Sequence, residues 1–127
     1  MTDKKHTLED LFSDSGPFDE SVVIKAIHPF ITIQKSTNEI FFKETVLKNE
    51  EKILVYGLAK KLLNTKGLIP KEMITALEVH KKTGIKKGTI DPTFKSLKEK
   101  GFLVGKKEYE IPVHKINQII SSLSHKA

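Results

Sequence analysis

Residues 77–104 read LEVHKKTGIKKGTIDPTFKSLKEKGFLV, and the order of breaks in this stretch decides the fold. Just ahead of it, Thr75-Ala76-Leu77-Glu78 fits a capping box, with Thr at the helix start and Glu three residues on. That predicts a short helix from Ala76 to Thr83, closed by Gly84. A longer helix from Pro70 is the alternative, because Pro is tolerated at the first helical position. Thr83-Gly84-Ile85 reads as a tight turn, where Gly takes a positive φ and Ile85 plugs the angle between two helices. A second helix is expected from about Lys87 to Lys100, with Ile90, Phe94 and Leu97 as its buried stripe and Gly101 as its stop. Phe102-Leu103-Val104, a turn at Gly105-Lys106-Lys107, and Glu108-Tyr109-Glu110-Ile111 then make a short hairpin, which Pro112 ends.

Helix, tight turn, helix, Gly, hairpin is the order of a winged helix-turn-helix. The residues also resemble the winged-helix transcription regulators of bacteria and archaea. The resemblance rests on an acidic-aliphatic pair in the first helix, Thr83-Gly84-Ile85 at the turn, Gly88-Thr89-Ile90 opening the second helix, and Leu97-Lys98-Glu99-Lys100-Gly101-Phe102-Leu103 leading into the hairpin. Gly88 to Leu97 is similar to the recognition-helix motif of the PadR family, where a Gly-Thr-aliphatic-Tyr-Pro run occurs. The resemblance covers residues 77–104 of the 127 and is silent on residues 1–51. It implies an α+β, mainly α, winged helix-turn-helix and double-stranded DNA as the partner. The helix at about 87–100 would lie in the major groove, its first residues toward base edges. The hairpin at about 102–111, the wing, would lie on the backbone.

Lys86, Lys87, Thr89, Thr93 and Ser96 lie off the Ile90/Phe94/Leu97 stripe and are read as the exposed face. Lys86 and Lys87 are assigned to phosphates, Thr93 and Ser96 to bases. Lys81 and Lys82 flank the turn, where they could grip phosphate, and Lys106 and Lys107 sit at the wing tip. Any one surface lysine is as readily a solvated charge as a contact. The grouping of Lys81, Lys82, Lys86 and Lys87 around one turn favours contact. Two residues depart from the family pattern. Asp91 stands where the PadR-like motif has Tyr; an acid there repels phosphate, although it could accept from a cytosine amine or cap the helix at Pro92. His80 stands where the pattern has a small residue, so either the helices part or His80 turns outward.

Outward from this stretch, Asn49 reads as the cap of a helix running to about Asn64, with Glu50-Glu51 in its first turn and Gly67 beyond its end. Its apolar residues, from Ile53 to Leu63, form more than one stripe, so it should be buried on several sides. Residues 1–51 are read as N-terminal helices plus a β-hairpin, an extension of the same body as 52–127. Thr7-Leu8-Glu9-Asp10 starts a short helix carrying Leu8, Leu11 and Phe12. Asp19 caps a second, Glu20 to Ile27. Phe30-Ile31-Thr32-Ile33-Gln34 and Glu39-Ile40-Phe41-Phe42-Lys43 flank a turn-like Lys35-Ser36-Thr37-Asn38, and a hairpin of that size needs something to pack on. At the other end, Val113, Ile116, Ile119, Ile120 and Leu123 line one face of a C-terminal helix. That face either packs on the chain's own core or forms the seam of a homodimer, as paired half-sites would require.

Charge supports a polyanion partner. Residues 1–51 carry 6 Lys against 10 acids, a net −4, while residues 52–127 carry 16 Lys against 6 acids, a net +10. All 22 basic residues are Lys. Lys offers point-charge contacts to phosphate, whereas Arg supplies the commonest bidentate base contact. No cysteine is present, which excludes a thiol nucleophile and cysteine-bound zinc and fits a cytoplasmic protein. No apolar run approaches the ~20 residues of a membrane span, and the N-terminus lacks a secretory pattern. His6, His28, His80, His114 and His125 show no ligand spacing, no phosphate-binding Gly loop occurs, and Ser13, Ser15 and Ser21 sit in no nucleophile motif. Neither catalysis nor a cofactor or metal is expected. The competing function is a winged-helix protein-interaction module in a larger assembly, its DNA face unused.

Overall fold

The computed structural model describes residues 18–43 and 47–124. The helix expected around Leu8, Leu11 and Phe12 lies outside the described residues. The described chain is α+β and mainly helical, with five α-helices and two small antiparallel hairpins.

α1 spans Glu20–Ile27. The Asp19 carboxylate caps it, accepting from the Ser21 and Val22 amides at 3.1 and 3.4 Å. β1 (Ile31–Ile33) then pairs with β2 (Ile40–Phe42), Ile31 opposite Phe42 and Ile33 opposite Ile40. Alternation puts these four on one face, turned to the core, and leaves Thr32 and Phe41 outside. Asn38 closes the turn with φ +61°, and its side-chain amide donates to the Leu68 carbonyl at 3.1 Å.

α2 (Asn49–Thr65) is the axis of the molecule. Ile53, Leu54, Val55, Tyr56, Leu58, Ala59, Leu62 and Leu63 are all buried, which covers its whole circumference. It packs on α1 and on the helices that follow it. Its start differs from expectation. Asn49 is already helical and the cap position is Lys48, whose amide donates to Glu51 Oε1 at 2.7 Å. The reaching-back glutamate, not a capping side chain, serves the first turn.

α3 (Ala76–Thr83) is the short helix, not the longer one from Pro70. Thr75 Oγ1 accepts from the Glu78 amide at 3.2 Å. The other half of the expected box is different, because the Glu78 carboxylate accepts from Tyr56 Oη and Lys60 Nζ, each at 2.6 Å, and so ties α3 to α2. Gly84 follows with φ +79°, and Ile85 is buried in the angle before α4 (Lys87–Glu99). β3 (Val104–Gly105) and β4 (Tyr109–Glu110) form the second hairpin. Ile74 bridges Tyr109 through two 2.8 Å backbone hydrogen bonds, a pairing that no periodicity announced.

A 3₁₀ turn at Val113–Lys115 precedes α5 (Ile116–Ser124). Val113 is therefore off the helical stripe and exposed, contrary to expectation. Ile116, Ile119 and Leu123 are buried, with α5 against α1 and α2. The stripe that offered a dimer seam is thus covered by the chain's own core. Buried residues from Phe18 to Leu47 and from Ile53 to Leu123 form one continuous cluster.

Candidate nucleic-acid interface

The turn between α3 and α4 is fastened from three sides. Thr83 Oγ1 donates to the Val79 carbonyl at 2.7 Å and accepts from the Ile85 amide at 3.2 Å. His80 Nδ1–H donates to the Ile85 carbonyl at 2.8 Å. His80 was expected to force the helices apart or to swing outward. It stays half-buried and latches the turn.

Lys86, at the cap position, and Lys87, the first residue of α4, are exposed; Lys81 is exposed in the last turn of α3, and Lys106 and Lys107 at the hairpin tip. None of these five forms a salt bridge among the described residues. Lys82 is different. Its Nζ lies 2.9 Å from Glu39 Oε2, so it ties α3 to the first hairpin, and that hydrogen bond and charge hold the Glu39 carboxyl below its usual range.

Thr93 and Ser96, expected on the exposed face, are both engaged within the fold. Thr93 is 9% exposed and donates to the Thr89 carbonyl at 2.7 Å. It lies three residues after Ile90 and four before Leu97, so it belongs to the buried stripe itself. Ser96 is half-buried and donates to Glu50 Oε2 at 2.6 Å, facing the start of α2. Lys100 reaches Glu50 Oε1 at 2.7 Å. Burial works against the ionised form of Glu50, but these two donors outweigh it and keep the carboxyl below its usual value. Thr89 remains half-exposed.

The outward face of α4 carries Gly88, Asp91, Pro92, Lys95 and Glu99. Lys95 was missed, although its spacing from Asp91 and Glu99 on a 3.6-residue helix places it there. β4 docks beside this face. The rings of Phe94 and Tyr109 lie 4.4 Å apart at 41°, and Lys98 Nζ sits 5.6 Å above the Tyr109 ring. Asp91, Lys95, Lys98, Glu99 and Tyr109 line a groove of about 380 Å³ between helix and hairpin. Asp91 does not cap α4, which begins four residues earlier.

The hairpin is anchored from behind by a second charged cluster. Lys61 on α2 is 5% exposed and pairs with Glu72. Burial and the neighbouring Glu72 push the Glu110 carboxyl on β4 above its usual value, against the pull of Lys61.

Among the described residues no three His, Asp or Glu side chains gather as a metal site, and no helix is long and apolar enough to cross a membrane. The chain matches no protein-family model, and no curated protein or solved structure is significantly similar to it.

Proposed function

We propose that the chain is a winged-helix protein that binds double-stranded DNA, a small transcription regulator by class, with α4 as recognition helix and the β3–β4 hairpin as wing. One observation carries the reading. Lys86 at the cap of α4, Lys87 and Lys95 on it, and Lys106 and Lys107 at the hairpin tip stand exposed and unpaired among the described residues, on the two elements that a winged helix presents to a duplex. Phosphates would satisfy them. The latched turn at Gly84 sets the angle of α4, and the Tyr109–Phe94 contact sets the wing against it. The proposed activity is binding, and no catalytic step is assigned. Backbone amide NMR with added duplex tests it. The reading predicts shifts concentrated in residues 86–98 and 104–110 and sparse in α1 and α5. Shifts centred on α1 or the first hairpin would contradict it.

A second reading has an observation of its own. Leu77 is 53% exposed, beside a cleft of about 220 Å³ lined also by Ala76, Lys87, Ile90 and Asp91. An apolar side chain next to an acid suits a protein partner better than a phosphate backbone. Absence of any duplex-induced shift at low salt would favour that module.

A further inference from the structure

We infer, on the footing of the DNA-binding reading, that this interface holds duplex DNA of any sequence and reads no base code. Direct readout needs donors and acceptors that can reach base edges; Lys and Asp can serve there, but the rigid planar forks of Arg, Asn and Gln fix a base most firmly. The outward face of α4 has none of these forks. Gly88 and Pro92 offer no polar side-chain atom, and a Cβ at Gly88 would meet nothing within 4 Å. Thr93 is turned into the core, its hydroxyl donating to Thr89. Ser96 is held by Glu50. Thr89 is half-exposed and offers one hydroxyl without a fork; the other donors that stand outside are lysines, on a helix and a hairpin tip, and lysine meets phosphate as a point charge.

Asp91 and Glu99 fit the same account. Both are exposed on the groove beside Lys95 and Lys98. A carboxylate there is repelled by phosphate whatever the base sequence, and on this account Asp91 lowers affinity for every duplex rather than accepting from a cytosine amine. The partner class is therefore bulk duplex, bound through its backbone, as in architectural proteins that position on DNA without base contacts.

The test is selection of the full-length chain against a randomised duplex pool, followed by anisotropy competition between selected and unselected pools, with Asp91→Asn alongside. The inference expects no consensus, affinities within roughly tenfold across duplexes, and tighter binding by Asp91→Asn on every duplex alike. An enriched consensus that outcompetes the unselected pool by more than that overturns it and leaves DNA binding standing. So does a change of base preference, without a general gain, in Asp91→Asn. Failure to bind either pool at low salt overturns the DNA-binding reading itself, and this inference with it.

Discussion

Glu50 joins the first turn of α2 to the last turn of α4 through Ser96 and Lys100. Because its folded carboxyl titrates below the unfolded one, its contribution is present above about pH 4.3 and is lost as pH falls through the folded value. Glu110 has the opposite sign: its raised carboxyl favours the fold at low pH and loses that contribution as pH rises through the folded value. Glu50→Gln should cost about 1 kcal/mol at pH 7, after allowance for its partial exposure, and flatten the acid limb of a urea-unfolding series. An unchanged acid limb would show that the Ser96 and Lys100 contacts contribute nothing. Thr93 separates the two accounts of α4 directly. A buried Thr93 predicts that Thr93→Ala lowers the urea midpoint while duplex affinity stays within twofold, roughly the scatter expected of a residue that makes no contact. An affinity loss at unchanged stability would restore Thr93 to the exposed face. The buried stripe of α4 is wider than the apolar residues alone indicate. Thr at a buried helical position reads as polar, and only its bond to the Thr89 carbonyl makes it acceptable inside.

Elements were more readable than single contacts. The short α3, the positive-φ Gly84, the α4 stripe and both hairpins follow from caps, breakers and period, which are local properties. The Ile74–Tyr109 bridge, the Glu78 tie to Tyr56 and Lys60, and the capture of Ser96 by Glu50 join residues far apart in the chain, and no local pattern encodes them. The β3–β4 turn carries an element-scale prediction. Gly105 has φ +129°, and a Cβ there would stand 2.0 Å from the Glu108 carbonyl oxygen. Gly105→Ala must rebuild the turn and should cost more than about 1 kcal/mol. Hydrogen exchange would show the loss first at Tyr109 and Ile74, whose amides close the bridge. Protection unchanged at both would mean that the tip and the bridge are uncoupled.

At the scale of the whole molecule, the first hairpin and α1 share one core with everything that follows, through a helix buried on all sides. A fragment of residues 48–127 should therefore expose the α1-facing side of α2 and aggregate, whereas a soluble fragment with a cooperative urea transition would show two separable bodies. The same continuity explains why the chain's net +6 is distributed as it is: acids gather in residues 1–51, where several pair with lysines of the later helices, as Glu20 does with Lys66 and Glu39 with Lys82. Among the lysines without an acidic partner are Lys86, Lys87 and Lys95 at α4 and Lys106 and Lys107 at the hairpin tip, and on these the functional account depends. Fluorescence anisotropy of a labelled duplex at several salt concentrations, for the native chain and for a variant with Lys86, Lys87, Lys95, Lys106 and Lys107 replaced by Ala, tests it most directly. The account predicts binding that weakens steeply with salt, and a slope in the variant shallower by roughly one unit for each phosphate contact removed. Equal slopes for the two proteins, or no binding by the native chain at low salt, would contradict it.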